Sequence, residues 1–204
     1  MLKKMASDAL GLSDIGTIIP PSDFDKTEAD DYVMHEDNEK IYFLIKTKAD
    51  EYCFTNLAFI HVDGENAVSS KKLLKRYPYV QHKIANVMLE TAGKIDMDVE
   101  IKFSIGGTAF DIDVKKSQIE QLKDLYKSLV HISEINHENE IQLGFAQNSI
   151  EKAVQTLHNS RSEEKSMTES FKGITEFSYD WLTKTHEQYH IKDFGDVFEK
   201  YINN

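Results

Sequence analysis

The chain has 204 residues, of which 40% are hydrophobic and 29% charged, and its formal net charge is −11 at pH 7. This composition is that of a folded globular protein with enough apolar residues for a core. The negative charge argues against nucleic acid as a partner and against simple adsorption to anionic lipid, because both would repel the chain. Cys53 is the only cysteine, so no intrachain disulfide can form and a cytoplasmic location is expected.

The N-terminal part contains one short helical pattern followed by an acidic segment. Apolar residues on one face predict an amphipathic helix over residues 2–10 that ends at Gly11; it either packs on the protein or lies on a membrane surface. Pro20 and Pro21 stop any helix, and the acidic run 23–31 is predicted to be a solvated loop. No apolar run approaches the roughly 20 residues that span a bilayer, and no signal peptide is expected.

Five short apolar segments separated by polar turns come next and are predicted to be strands. They cover residues 41–45, 52–54, 57–62, 73–79 and 84–91. Pro78 places the fourth of them at a sheet edge or a bulge, because proline cannot donate a ladder hydrogen bond.

The central pattern is a hairpin. Apolar and polar residues alternate strictly over 95–105, Gly106 and Gly107 permit a tight turn, and the alternation resumes over 110–114. This turn sets Phe103 opposite Phe110, with the polar side chains on a solvated face. About seven strands with no helix between them predict an antiparallel sandwich or barrel.

After residue 116 the apolar residues no longer alternate as in a strand but recur at intervals of three and four, as in a helix. Ser117 and Glu120 form a capping-box pattern, which predicts a helix from 117 to about 135 that closes one end of the sheet structure. Two further apolar stripes predict two helices separated by the polar residues 159–162, and Asp193 is a candidate N-cap of a short last helix. The stripes contain Leu143, Ala146, Ile150, Ala153, Val154 and Leu157, and then Met167, Phe171, Ile174, Phe177, Trp181 and Leu182.

Several segments in series resemble the bacterial pleckstrin-homology (PH) domain of YvbH type. They are 6–12, 52–57, 76–79, 89–93 and 98–103, with the sequences ASDALGL, YCFTNL, RYPY, LETAG and DVEIKF. The resemblance implies an α+β fold: a PH-like seven-stranded antiparallel barrel or sandwich, capped by one helix and followed by an α-helical hairpin. It places the PH-like domain in residues 1–136 and a YvbH-like oligomerisation extension in 137–204. The resemblance also implies a ring-like homo-oligomer and provides no catalytic residue.

The helical hairpin supplies the first candidate site. Each of its helices has only one partner inside the chain, so the remaining aromatic side chains are expected to meet another copy or the sheet domain. Phe171, Ile174, Phe177 and Trp181 are therefore the candidate oligomerisation residues. On this interpretation the protein is a non-enzymatic oligomeric interaction or scaffold module, and the protein or lipid ligand of its barrel is unknown.

A basic cluster supplies the alternative. Lys71, Lys72, Lys75 and Arg76 form the densest group of cations, and a peripheral membrane protein would use them to bind a phospholipid headgroup. The simpler interpretation is a charged strand edge that protects the sheet from aggregation.

One further motif has the form H-E-x-x-H, at His186, Glu187 and His190. Two histidines four residues apart on a helix can bind zinc, and the glutamate can activate a zinc-bound water. The longer zinc-peptidase pattern is missing, because Asp193 and Asp196 stand where it requires glycine and histidine. No catalytic residue, resident metal or cofactor is therefore predicted, and zinc binding by this segment stays an alternative.

Overall fold

The computed structural model describes residues 14–64, 72–91, 98–159 and 167–202. The predicted helix over 2–10, the start of the central hairpin at 95–97, and Lys71 lie outside these ranges. The chain divides into two compact units. The first joins the chain up to Ser133 to the segment that begins at Lys192, and the second is Glu134–Ile191.

The described part of the first unit contains eight strands in two antiparallel sheets. The five-stranded sheet has the order β1 (Thr17–Ile18), β2 (Ile41–Lys46), β3 (Glu51–Thr55), β4 (Ala58–Asp63) and β5 (Leu73–Pro78). The three-stranded sheet has the order β6 (Ile84–Glu90), β7 (Asp98–Ile105) and β8 (Thr108–Lys115).

These strands confirm the seven predicted segments and add β1. Of the two predicted architectures, the two separate sheets fit the sandwich and not a closed barrel. The ladder stops at β5, an edge strand whose last residue is Pro78. Proline has no amide hydrogen to donate, and the chain turns at the buried Tyr79 before β6 begins the other sheet. Gly16 links the two sheets elsewhere, where its amide donates to the Asp113 carbonyl over 2.8 Å.

Aromatic side chains from both sheets form the core between them. Phe59 lies 4.8 Å from Phe110 and 4.8 Å from Phe54, measured between ring centroids, and Phe103 stacks on Phe110 at 5.3 Å. The predicted hairpin register is confirmed, since Phe103 pairs with Phe110 across β7 and β8. Gly106 and Gly107 have φ angles of 58° and 79°, which a tight turn of this kind requires.

The acidic segment is not the solvated loop that the sequence predicted. It forms three short 3-10 turns, at Pro21–Lys26, Ala29–Tyr32 and His35–Asp37. Ala29 and Val33 are buried, and the Ala29 amide donates to Glu51 Oε2 over 2.7 Å. Two buried apolar side chains four residues apart thus anchor this segment, and its many charged residues had suggested a solvated loop.

The first of the helices differs from the prediction in two respects. A single helix, α1 (Ile119–Asn159), replaces the two that were predicted with a break between 135 and 143, because nothing in that interval interrupts a helix. A 3-10 turn, Lys116–Gln118, precedes it, so Ser117 lies within the first turn and does not cap it. The first part of α1 closes the core as predicted, with Leu122, Leu125, Leu129 and Ile132 fully buried.

The last two helices lie where the sequence places them. α2 is Met167–Tyr189, and the second part of α1 and α2 make up the second unit. α3 is Gly195–Ile202, and Asp193 Oδ1 accepts a hydrogen bond from the Gly195 amide over 2.8 Å. The family resemblance assigned α3 to the extension, but the contacts of α3 place it in the first unit.

Candidate functional site

The second unit leaves most of its large apolar side chains exposed. Among its described side chains, only Ala146 and Thr185 are buried. The exposed ones include Ile141, Phe145, Val154, Phe171, Phe177, Tyr179, Trp181 and Leu182. A soluble monomer rarely displays so much apolar surface, so this unit has the character of a surface that another molecule covers.

The predicted oligomerisation residues lie together on α2. Phe171, Ile174, Phe177 and Trp181 follow one another at intervals of three and four residues, which places them on one side of the helix. Phe171 is 71% exposed, Phe177 64% and Trp181 43%, whereas Ile174 is half-buried. The Phe177 and Trp181 rings stack with their centroids 6.4 Å apart. We call these four residues the α2 patch.

A second exposed group lies on α1. Ile141 and Phe145 are four residues apart, and Phe145 is 63% exposed. Neither belongs to the line of Ala146 and Ile150, so they occupy a different side of the helix. Phe145 was not predicted as a site residue, because it lies off the apolar stripe of this helix. The signal in the sequence is a large aromatic residue on the otherwise polar side. We call Ile141 and Phe145 the α1 patch.

The described members of the predicted headgroup site each contact a carboxylate. Lys72 pairs with Glu28, Lys75 Nζ lies 2.7 Å from Asp63 Oδ2, and Arg76 Nη2 lies 2.9 Å from Glu39 Oε1. The hydrogen bond to Asp63 raises the pKa of Lys75. Positive charge that is already paired inside the protein is less available to an anionic headgroup, and headgroup binding stays a prediction.

The H-E-x-x-H histidines lie close together at the end of α2. The His186 and His190 rings stack with centroids 4.2 Å apart, and the His190 amide donates to the His186 carbonyl over 2.9 Å. Within the described ranges, no group of three or more metal-binding side chains includes either histidine.

Two further kinds of site were considered: a reactive cysteine and a membrane-spanning helix. Burial raises the pKa of the Cys53 thiol, so the thiol is protonated at neutral pH and is a poor nucleophile. In the part of the chain that the structure describes, no helix is both long and apolar enough to cross a lipid bilayer.

Comparisons with known proteins agree with this architecture. Residues 9–133 match the family described as Bacterial PH domain, and residues 144–204 match the YvbH-like oligomerisation region. The uncharacterized protein YvbH of Bacillus subtilis (strain 168) is 68% identical over 204 residues, which is 100% of both chains. The crystal structure of a PH-domain-containing protein from Exiguobacterium sibiricum 255-15 superimposes with a TM-score of 0.85 at 52% identity, covering 93% of this chain and 100% of that one.

Proposed function

Since this chain belongs to the bacterial PH-domain family and carries a YvbH-like oligomerisation region, we propose that it is a non-enzymatic interaction module displayed in several copies by self-association of its helical extension. The single observation that supports self-association best is the α2 patch. Three of its four side chains are large, apolar and more than 40% exposed.

The energetic reason is the hydrophobic effect. Burying a Phe or Trp side chain that was exposed is worth roughly 1.5–3 kcal/mol, and clustered aromatic residues commonly dominate the binding energy of an interface. A second copy of the chain is the occupant that the match to an oligomerisation region favours.

The arrangement of the patches supports a cyclic assembly. A closed ring needs a heterologous contact, in which one patch of each copy meets a different patch of its neighbour. The α1 patch and the α2 patch are two such surfaces in the same unit, and they lie on different helices.

Display in several copies has a functional consequence. PH-like units held in one assembly bind a multivalent partner at a high effective concentration, so weak single sites combine into a tight interaction. A binding role of this kind needs no catalytic residues, and the one catalytic motif discussed in the described residues is H-E-x-x-H at His186–His190.

Light scattering of F171A/W181A tests the proposal. We expect the native mass of the full chain to be a multiple of 23.5 kDa, and the variant to dissociate towards the mass of one chain, because it loses two of the three aromatic rings of the patch.

The matched control is L73A/M88A. Leu73 and Met88 are 51% and 54% exposed, but they lie on strands of the first unit. The control should keep the native mass. A monomeric native chain, or F171A/W181A at the native mass, would contradict the proposal.

A further inference from the structure

Three side chains with metal-binding atoms converge at the end of the β3–β4 hairpin. Asp50, His61 and Asp63 each offer one ligand atom, and these atoms all lie within 4.8 Å of one another. We propose that they form a binding site for a divalent transition-metal cation, with Zn²⁺ as the preferred ion.

The strand register explains why the three residues meet. His61 and Asp63 are two residues apart on β4, so their side chains project from the same face of the sheet. Glu51 pairs with Val62 and Tyr52 pairs with His61, so the residue before β3, Asp50, comes opposite Asp63.

The Asp50 backbone and carboxylate are both held in place. Its amide donates to Thr47 Oγ1 over 2.9 Å, and its Oδ1 accepts a hydrogen bond from the Gly64 amide over 3.1 Å. A Cβ on Gly64 would lie 2.5 Å from the Ala49 carbonyl oxygen, so only glycine permits this close turn. The turn therefore fixes one carboxylate ligand before any metal arrives.

His61 is the strongest sign of a missing partner. Its relative exposure is 7%, and neither ring nitrogen has a hydrogen-bond partner. Buried polar atoms are rarely left in this state without a reason. Nε2 lies 3.5 Å from Asp50 Oδ1, which is long for a hydrogen bond. The distance between Nε2 and Oδ1 is instead close to the separation of two ligand atoms on one tetrahedral zinc ion, which is about 3.4 Å at bond lengths of about 2.0–2.1 Å.

Aromatic neighbours hold the imidazole in position. The Tyr52 ring stacks on it at 4.7 Å, and the Phe110 ring meets it edge-on at 5.4 Å. The orientation of the imidazole is therefore fixed by packing before a metal binds.

The donor set and its charge favour zinc over calcium or magnesium. An imidazole nitrogen suits Zn²⁺, whereas Ca²⁺ and Mg²⁺ prefer sites made of oxygen atoms alone. Asp50 and Asp63 face each other with two negative charges, and only Asp63 has a lysine partner, Lys75. A divalent cation would offset the mutual repulsion of the two carboxylates.

The test is zinc titration by calorimetry on the full chain, without a histidine tag and stripped of metal. The H186Q/H190Q background removes the competing histidine pair. We expect one Zn²⁺ per chain in the wild type and in this background, and at least tenfold weaker binding when H61Q or D63N is added. Asp111, an exposed acid on β8, gives the matched control D111N, which should leave binding unchanged.

Zinc-edge anomalous diffraction of crystals grown with Zn²⁺ gives a readout that needs no variant. It should show a peak within bonding distance of His61 and both aspartates. Absence of that peak, loss of binding in H186Q/H190Q alone, or unchanged binding in H61Q would overturn the proposal. Circular dichroism checks each fold; if H61Q is unfolded, D63N and the anomalous map decide.

Discussion

Glu39 is an ionisable residue that is almost fully buried, at 1% exposure, and its carboxylate is surrounded by donors. Oε1 accepts hydrogen bonds from Thr55 Oγ1 at 2.5 Å and from Arg76 Nη2 at 2.9 Å, and Oε2 accepts one from the Met34 amide at 2.8 Å. A buried ion pair such as Glu39–Arg76 adds little net stability compared with an apolar replacement of both residues. Replacing only one of the two residues is costly, because the other charge stays buried without its partner.

Arg76→Met therefore tests the network at the residue scale. We expect the free energy of unfolding to fall by about 3–5 kcal/mol, because Glu39 keeps its buried charge and loses the opposite one. Urea unfolding followed by circular dichroism measures the change.

Lys72→Met is the control for Arg76→Met. Its partner Glu28 is far more exposed than Glu39, so the expected change is about 0–1 kcal/mol. If Arg76→Met and Lys72→Met lowered the free energy of unfolding by the same amount, burial of the Glu39–Arg76 ion pair would not be important for stability.

At the scale of elements, α3 is the clearest case of a helix that depends on tertiary contacts. It has eight residues, which is too short for a stable isolated helix. Phe194 and Phe198 are buried, the Tyr42 and Phe198 rings stack at 5.4 Å, and the Phe194 amide donates to the Asn56 carbonyl over 2.9 Å. The end of the oligomerisation region thus completes the core of the PH-like unit.

Phe198→Ala should lower the free energy of unfolding of the first unit by about 3–5 kcal/mol, since it removes a fully buried aromatic side chain. The comparison is Phe171→Ala, which removes an exposed ring and should reduce the native mass without this loss of core stability. A stable F198A protein would mean that α3 is dispensable for the core.

Tyr42 gives a pH test of the same contact. Burial and the hydrogen bond to Glu199 Oε1, 2.9 Å long, raise the pKa of Tyr42 to about 12. The unfolded chain has the ordinary value of about 10, so the folded state binds the proton more tightly. This contribution to stability is present below pH 10 and is lost as the pH rises from about 10 to 12.

Tyr42→Phe removes that contribution. Between pH 9 and pH 11, its free energy of unfolding should fall less steeply than that of the wild type, as measured by urea titration at each pH. The other tyrosines and Cys53 are common to both proteins, so the difference isolates Tyr42. Identical pH profiles would show that the Tyr42 hydroxyl titrates normally.

At the scale of the whole molecule, the chain leaves the first unit after Ser133 and returns to it at Lys192. The intervening unit therefore has both of its ends tied to the PH-like fold. In the proposed assembly, a second unit that contacts another copy would hold the PH-like unit through two chain connections, which suits the proposed display role.

The two-patch arrangement predicts a mixing experiment. I141A/F145A loses the α1 patch and F171A/W181A loses the α2 patch, so each variant alone should have the mass of one chain. An equimolar mixture should form a heterodimer, since one intact pair of patches remains between unlike chains. Native mass spectrometry distinguishes the species. Homodimers of either variant alone would indicate an isologous interface.

The sequence by itself determined the seven longer strands and the approximate positions of the helices, because strand and helix periods are local. Alternation fixed the register of Phe103 with Phe110, and spacing identified the α2 patch. Local patterns could not show that β5 and β6 belong to different sheets, or that Phe194 and Phe198 return to the first unit. Nor could they show that Asp50 meets His61 and Asp63. Those contacts join residues distant in sequence, and only the packing of strands and core side chains brings them together.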